Sequence, residues 1–245
     1  MDVFGDSDSD SGDDDEERPS NCGVLSFHEG TEEAMVLAAL SAPAGDVDAI
    51  LKAIDDFCFR QHWMMHVGPE KSAILRQSLG NCSVACEIGT YCGYSALVLA
   101  GQGCRLYSFE VDERHCRIAR KVIAHAHLTQ RVTIVNADAK GAIDYLKKQG
   151  LKLEYLFIDH DERFYLKDLL LFEPLLLPGA TVVADNVLFG KHILQDYLTH
   201  VRTHYKQTTL YRTALEYSSS SEEDKGGKNN IVLEDGLVVS ILFPR

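Results

Sequence analysis

The sequence predicts an α/β fold, a mostly parallel central sheet with helices on both faces. From residue 83 onward, short apolar runs typical of buried strands alternate with stretches of helical periodicity. Repeated strand–helix units imply parallel strands, because each crossover returns the chain to the same end of the sheet. Near the C-terminus, two strand-like runs follow each other without a helix between them. They predict a C-terminal antiparallel hairpin that closes the sheet.

Three helices are predicted ahead of the first strand, over Thr31–Leu40, from Asp46 to Phe57, and over Glu70–Leu79. Their apolar residues recur at helical spacing, and the first two begin with residues that can cap the free N-terminal amides. The loop before the third helix holds the only tryptophan, Trp63, beside two methionines. A loop of that composition either packs on the core or forms the wall of a pocket.

The rest of the chain alternates between the two kinds of element. Predicted strands span 83–89, 104–110, 131–136, 153–159 and 180–186. Predicted helices lie at about 94–101, 113–127, 139–149, 163–176 and 192–204. Thr208–Tyr217 and Gly236–Phe243 form the predicted hairpin, and we interpret the polar stretch 218–230 between them as a flexible loop insertion.

Composition divides the chain into an acidic tail, residues 1–23, and one domain, residues 24–245. The formal net charge is −13, and residues 1–20 contribute −8 of it through nine acids and one base, which leaves −5 for the rest. The domain has no basic cluster of the kind that binds phosphate backbones, so nucleic acid is not expected as a partner. We interpret the tail as disordered and solubilising, with binding of an unknown protein partner as the alternative.

Two further features bear on the location of the protein. No apolar run approaches the length of a membrane span, and the N-terminus lacks the basic and then apolar pattern of a signal peptide. The seven cysteines include no Cys-x-x-Cys pair, and we interpret them as reduced thiols. Together these features predict a cytoplasmic protein.

A glycine-containing turn follows the first predicted strand. Glu87-Ile-Gly89 ends the strand, and Gly93 precedes the next helix. Gly89 can adopt backbone angles closed to other residues, and the free amides of the following helix attract a polar or negative group. Glu110 ends the next strand about twenty residues later, a spacing that suits a carboxylate binding ribose hydroxyls. The turn therefore indicates a cofactor that contains a ribose, with tight packing of the turn as the alternative.

Polar side chains also end two later strands. Asp159 and His160 follow one of them, and Asp185 and Asn186 follow the other. Ligands of open α/β sheets bind beyond the carboxyl ends of the strands. Two carboxylates and an amide oxygen form a set that suits Mg²⁺. We therefore predict a metal site at Asp159, Asp185 and Asn186, with His160 as a neighbouring contact; capping of the following helices is the alternative for either aspartate alone.

Longer motifs carry a resemblance to one enzyme family. They are His62-Trp-Met-Met-His-Val-Gly68, Glu87-Ile-Gly-Thr-Tyr-Cys-Gly-Tyr-Ser95, Phe157-Ile-Asp-His160, Leu177-Pro-Gly-Ala-Thr-Val-Val-Ala-Asp-Asn186 and Leu215-Glu-Tyr217. Through them, the chain from about Ala44 to Pro244 resembles the catechol O-methyltransferase family. The resemblance implies a Rossmann-like class I methyltransferase fold and transfer of a methyl group from S-adenosylmethionine to a hydroxyl of a catechol-like small molecule held by Mg²⁺.

The resemblance also implies roles for individual residues. It places contacts with S-adenosylmethionine at Met65, Val67, Glu87, Gly89, Tyr91, Ser95, Glu110, Asp138, Asp159 and His160. It places the Mg²⁺ ligands at Asp159, Asp185 and Asn186. It places substrate contacts at Trp63, Met65, Asn186 and Glu216, and catalytic roles at Asn186, Glu216 and position 162.

The chain departs from the family after Asp159-His160. The family usually has tryptophan and then a catalytic lysine there, whereas this chain has Asp161 and Glu162. Arg163 follows, but an arginine side chain is so basic that it stays protonated near neutral pH and cannot accept a further proton. The chain thus resembles a divergent branch, the transmembrane O-methyltransferase-like proteins, which also differ at this point. Glu162 is the candidate to replace the lysine as a base, with an exposed helix-starting residue as the alternative.

Three hypotheses follow from these observations. The first is a Mg²⁺-dependent methyltransferase acting on a catechol-like diol, and the metal set favours it. The second is a catalytically weak methyltransferase-fold protein that acts through a protein partner, and the missing lysine favours that. The third, methylation of protein or RNA, is the least favoured because the domain carries no basic patch.

Overall fold

The computed structural model describes residues 30–189, 192–217 and 234–243. These residues form a seven-stranded sheet with the order β3-β2-β1-β4-β5-β7-β6. The strands are β1 Val84–Ile88, β2 Arg105–Glu110, β3 Val132–Asn136, β4 Leu153–Ile158, β5 Leu176–Ala184, β6 Tyr205–Ala214 and β7 Glu234–Leu242. Strands β1 to β5 pair in parallel, whereas β7 lies antiparallel between β5 and β6. The predicted parallel sheet and C-terminal antiparallel pair are therefore confirmed.

Helices cover both faces of the sheet. They are α1 Thr31–Ser41, α2 Val47–Arg60, α3 Gly68–Leu79, α4 Tyr94–Ala100, α5 Glu113–His125, α6 Ala139–Lys148, α7 Tyr165–Phe172 and α8 Gln195–His204. Asp46 caps α2 as predicted, since its carboxylate accepts the Ala49 amide at 2.9 Å. The core on one face joins the sheet to α1 through α5, and the core on the other joins it to α6, α7 and α8.

The alternating side chains of the strands serve these two cores. Ala85 and Leu106 point into the core of α1 to α5, whereas their neighbours Cys86 and Tyr107 point into the other. Strands buried on both faces in this way are typical of parallel sheets between helical layers. Both layers leave the carboxyl ends of the central strands open for a site.

Several predicted elements have the wrong bounds. The predicted strand Thr208–Tyr217 is displaced, because α8 ends at His204 and leads directly into β6, Tyr205–Ala214. The predicted helix 163–176 is shorter, because α7 ends at Phe172 and a 3₁₀ turn, Glu173–Leu175, follows it. Pro174 has no amide hydrogen to continue the α-helical bonding, and the chain enters β5 directly at Leu176. Strand β5 ends at Ala184 rather than at residue 186, so the polar pair after it lies in the turn beyond the strand.

Several other predictions concern features that the structure reports only in part. The acidic tail 1–23 and the loop 218–230 lie outside the described residues. Within the described ranges, no helix is long and apolar enough to cross a membrane. The described cysteines all carry free thiols: Cys58, Cys82, Cys86, Cys92, Cys104 and Cys116.

Gly89, directly after β1, is fixed by the backbone of the neighbouring strand. Its φ is +96°, and a Cβ added there would lie 1.8 Å from the carbonyl oxygen of Asp159. The position therefore demands glycine, because a side chain would combine a left-handed backbone conformation with a severe clash. The turn is tight because the ends of β1 and β4 approach each other so closely, and that approach shapes the floor of the site.

We expect Gly89→Ala to lower the free energy of unfolding by about 3–5 kcal/mol or to prevent folding. The reason is that the clashing atom belongs to the backbone of Asp159, directly after β4, which cannot shift without disturbing the sheet. The matched control is Gly150→Ala, where φ is +66° but nothing lies within 4 Å of the added Cβ. That control should cost about 1 kcal/mol, from backbone strain alone. Urea denaturation measures both changes, and equal losses would contradict the steric account.

Candidate active site

A large cavity lies beyond the carboxyl ends of β1, β2, β4 and β5. This is where the order of strands reverses on either side of β1, the usual ligand position in such sheets. Its volume is about 1210 Å³, above the roughly 300–1,000 Å³ typical of pockets for one small ligand. Predicted site residues that line it are Trp63, Met65, Gly89, Tyr91, Glu110, Asp138, Asp159, His160, Glu162, Asp185, Asn186 and Glu216.

At one end of the cavity, Glu110 is held by the backbone of the glycine turn. Its carboxylate accepts the Tyr91 amide at 2.8 Å and the Asp112 amide at 2.9 Å. Burial opposes ionisation, but His115 and these two amides together lower the pKa of Glu110 below its ordinary value. Glu110 is therefore an ionised carboxylate in a fixed position, with lone pairs left to accept hydroxyl groups.

Three predicted cofactor contacts lie behind the cavity wall and do not line it: Val67, Glu87 and Ser95. Burial raises the pKa of Glu87 to about 7, although a hydrogen bond from Ser108 opposes the shift. The Ser108 hydroxyl bonds both to Glu87 and to Thr90 of the glycine turn. Glu87 thus connects to the turn through β2, and its direct contact with a cofactor stays a prediction.

At the other end of the cavity, acidic side chains gather around one buried lysine. Lys71 of α3 contacts Asp185 at 2.6 Å, Asp235 of β7 at 2.6 Å, and Glu216. The ligand atoms of these three acids lie within 4.8 Å of one another. The four side chains, all buried, come from four separate segments of the chain. We call this group the carboxylate cluster.

The electrostatics of the cluster are dominated by negative charge. Burial disfavours the ammonium of Lys71, but its acidic neighbours raise its pKa above the ordinary value, so it is charged. Burial and the nearby Asp185 raise the pKa of Asp159 well above its ordinary value. Burial likewise raises the pKa of Glu216 to about 7, against the opposing effect of Lys71. One lysine therefore does not balance the buried acids around this end of the cavity.

The segment after β4 carries the position of the missing lysine. Glu162 lines the cavity, is partly buried, and opens a 3₁₀ turn that Asp161 caps. Arg163 does not line the cavity, and its guanidinium forms an ion pair with Asp161. His160 Nε2 donates a 2.7 Å hydrogen bond to the carboxylate of Asp168, which also lines the cavity. Glu162 therefore lines the cavity, and no basic side chain among the described residues forms an ion pair with it.

Trp63 and Met65 form part of the cavity wall next to the carboxylate cluster. The indole of Trp63 donates a 2.8 Å hydrogen bond to the backbone carbonyl of Glu216. This bond ties the loop before α3 to the segment after β6 and fixes the indole in place. Met65 is 48% exposed and lines the cavity mouth. Trp63 therefore lies beside Glu216, Met65 lines the same cavity, and the substrate contacts of both stay predictions.

Comparison with known proteins identifies the family. A family model described as O-methyltransferase matches residues 42–238 of the chain. The catechol O-methyltransferase of Bos taurus is 35% identical over 187 residues, which cover 72% of this chain and 68% of that protein. The chain belongs to the O-methyltransferase family. The predicted resemblance to catechol O-methyltransferases is thereby confirmed.

One further relative and one solved structure extend the comparison. The transmembrane O-methyltransferase homolog of Mus musculus is 37% identical over 168 residues, covering 64% of this chain and 65% of that one. The solved O-methyltransferase TomG of Streptomyces achromogenes, in complex with S-adenosylmethionine, has a TM-score of 0.65 at 18% identity and covers 84% of this chain and 94% of its own. The latter match, with the order of the strands, shows the Rossmann-like class I fold.

Sequence reasoning missed three residues of this O-methyltransferase's site. Lys71 was detectable, because it shares the buried stripe of α3 with Leu75 and Leu79 at helical spacing. Asp235 likewise alternates in β7 onto the same face as the buried Leu237. His66 lines the cavity with a buried and unpartnered Nε2, which only the three-dimensional structure reveals.

Proposed function

We propose that the chain transfers a methyl group from S-adenosylmethionine to a hydroxyl of a catechol-like diol, with Mg²⁺ bound at Asp159, Asp185 and Asn186. The observation that carries the proposal is one cavity with two distinct ends. Glu110 and the glycine turn form one end, and the buried acids form the other. Membership in the O-methyltransferase family supports this class of reaction.

The first end of the cavity suits the nucleoside of the cofactor. Ionised Glu110 can accept both ribose hydroxyls, and Asp138 and His160 line the wall beyond it. Asp138 already caps α6 by accepting the Gly141 amide at 2.8 Å, which fixes its position. S-adenosylmethionine, when bound, supplies a methyl group on a positively charged sulfur. The chain's part is to hold that group facing the acidic end and to exclude water.

The second end of the cavity fits a hard cation. Asp159, Asp185 and Asn186 present two carboxylates and an amide to the cavity, a donor set that Mg²⁺ prefers. The surplus of buried acids over the one lysine gives an independent argument, because uncompensated buried charge is costly. Mg²⁺, when bound, supplies positive charge that favours the ionised form of a substrate hydroxyl.

The walls near the acidic end suit an aromatic ring that carries neighbouring oxygens. Trp63, Met65 and Phe189 offer apolar surface, while Asn186 and Glu216 offer polar atoms on the same side. A planar diol can place its ring against the apolar group and both oxygens towards the polar group. Orientation of this kind contributes a large share of the rate in methyl transfer, because the attacking oxygen must line up with the methyl group.

The test is a methyl-transfer assay with labelled S-adenosylmethionine on matched aromatic substrates with two adjacent hydroxyls or only one. We expect transfer to the diol, loss of transfer in excess chelator, and recovery on adding Mg²⁺. Transfer that continues in chelator would remove the metal from the proposal. Equal transfer to the compound with a single hydroxyl would remove the diol.

We expect Glu110→Ala to weaken binding of S-adenosylhomocysteine by about tenfold or more in calorimetry. The reason is that hydrogen bonds to a charged group contribute roughly 1.5–3 kcal/mol, and 1.4 kcal/mol corresponds to tenfold in affinity. The matched control is Glu113→Ala, which removes an acid of α5 that pairs with Arg120 at 3.0 Å and does not line the cavity. Unchanged affinity in Glu110→Ala, with affinity also unchanged in the control, would remove Glu110 from the cofactor site.

A further inference from the structure

We infer that Asp235, held in place by Lys71, is a positioning residue that fixes the amide of Asn186 with its oxygen available to the cavity. The inference rests on the proposed function, because it assigns Asn186 as a metal ligand. Neither Asp235 nor Lys71 lines the cavity, and both are at most 1% exposed. They lie behind the lining residues and contact several of them, Asp185 and Asn186 among them.

The carboxylate of Asp235 is fully engaged by the protein. Its Oδ2 accepts Lys71 Nζ at 2.6 Å and Asn186 Nδ2 at 2.9 Å. Its Oδ1 accepts the backbone amide of Phe189 at 3.0 Å and, more weakly, that of Leu188 at 3.4 Å. Two carboxylate oxygens that accept four hydrogen bonds have little capacity left for a cation. Asp235 is therefore assigned to support and not to metal binding, although its oxygens lie near those of Asp185 and Glu216.

The orientation of the Asn186 amide follows from this contact. An ionised carboxylate can only accept hydrogen bonds, so the NH₂ end of the amide must face Asp235 and the oxygen must face away. Lys71 supports that charge state, because its ammonium lies 2.6 Å from Oδ2 of Asp235. The Asn186 backbone, with φ of +54°, lies in the left-handed region that asparagine tolerates better than most residues. The residue type thus suits the backbone and the amide together.

Lys71 orders the two neighbouring acids in a similar way. Lys71 Nζ and the backbone N–H of Asn186 both donate to Oδ1 of Asp185, at 2.6 and 2.7 Å, which leaves Oδ2 for the cavity. The bond from Lys71 to Glu216 ends on Oε1 and leaves Oε2. Lys71 and Asp235 therefore determine which oxygen atom of Asp185, Asn186 and Glu216 is available to a ligand in the cavity.

The test compares two replacements that remove the same charge. Asp235→Asn keeps a carbonyl oxygen that can accept Asn186 Nδ2, whereas Asp235→Leu keeps no acceptor. We measure Mn²⁺ affinity by electron paramagnetic resonance and S-adenosylhomocysteine affinity by calorimetry. We expect Asp235→Leu to weaken Mn²⁺ binding about tenfold more than Asp235→Asn does, with S-adenosylhomocysteine affinity unchanged in both. Equal Mn²⁺ affinities in the two variants would show a pure charge effect and overturn the inference.

A double-mutant cycle makes the comparison specific to Asn186. In an Asn186→Ala background, Asp235→Leu should cause no further loss beyond that of Asp235→Asn, because the amide to be positioned is gone. A tenfold difference that persists in this background would contradict the inference. The control is Glu173→Leu, which removes a partly buried carboxylate that contacts His200 and Tyr205 outside the cavity. It should leave Mn²⁺ affinity unchanged.

A measurement on the unaltered chain covers the case in which Asp235→Leu does not fold or the chain binds no Mn²⁺. The side-chain amide protons of Asn186, assigned in NMR spectra by their loss in Asn186→Ala, should exchange slowly with solvent because they bond a buried carboxylate. Fast exchange would overturn the inference. Slow exchange without Mn²⁺ binding would uphold the positioning and instead contradict the metal in the proposed function.

Discussion

Replacement of Asp185 by alanine is expected to reduce metal-dependent methyl transfer by more than about 100-fold while leaving S-adenosylhomocysteine affinity within about twofold. Asp185 is 2% exposed, faces the cavity at its acidic end, and has one oxygen engaged by Lys71. Loss even of groups that only support metal ligands costs roughly 10–100-fold, so loss of a ligand should cost more. The cofactor end depends on Glu110 and is left intact.

The Asp185→Ala experiment needs two measurements and one control. Methyl transfer from labelled cofactor, with and without added Mg²⁺, gives the effect on the reaction, and calorimetry gives the cofactor affinity. Asp144→Ala removes an exposed acid of α6 that does not line the cavity, and it should change neither quantity. If Asp185→Ala retains transfer that resists excess chelator, the proposed metal site is wrong, and the acids serve packing and ion pairing alone.

The second large effect concerns the position of the missing lysine. We expect Glu162→Lys to increase methyl transfer to simple catechols by tenfold or more near neutral pH. Glu162 lines the cavity, so a lysine there can reach a substrate hydroxyl. General-base assistance is typically worth about 10²–10⁴-fold. A carboxylate is a much weaker base than the amine of a lysine.

Glu162→Gln is the matched control, because it removes the acid without adding a base. Initial rates at several pH values for the parent chain and both variants separate the possibilities. Higher rates in Glu162→Lys than in Glu162→Gln would show that the lysine supplies the missing base. Lower rates than the parent in both variants would instead make Glu162 a working residue and contradict the prediction.

The sequence predicted most of the scaffold because the relevant signals are local. Apolar runs and helical spacing located the alternating elements, and Asp46 marked the start of α2. The glycine turn was also recognised, but only one of the two reasons for a glycine there could be predicted. The sequence indicated ligand approach at Gly89, whereas the structure shows a contact with the Asp159 backbone that depends on how β1 and β4 end. Contacts between strands cannot be found by reading either strand alone.

The support behind the site was harder to predict for a physical reason. Lys71 and Asp235 are 164 residues apart in sequence and become partners only when β7 enters the sheet beside β5. A lysine on a helix is usually solvated, and its burial is revealed by the acids that surround it. Likewise, the predicted helix 163–176 ran through Pro174, although proline interrupts α-helical hydrogen bonding, and the pairing of β5 with β4 shows that the strand already starts at Leu176. The polar residues that end a strand could be recognised in the sequence, whereas the contact between Lys71 and Asp235 joins distant segments and was not predicted.

The central claim is that a divalent cation binds at the acidic end of the cavity, at Asp159, Asp185 and Asn186. Crystals of the chain grown with S-adenosylhomocysteine and Mn²⁺, measured for anomalous scattering, test it most directly. The account predicts one strong peak at roughly 2.0–2.2 Å from oxygens of Asp159, Asp185 and Asn186, since octahedral oxygen sites have bonds of about that length. A cofactor-bound structure with no anomalous peak in the cavity, or with Mn²⁺ bound elsewhere, would contradict it.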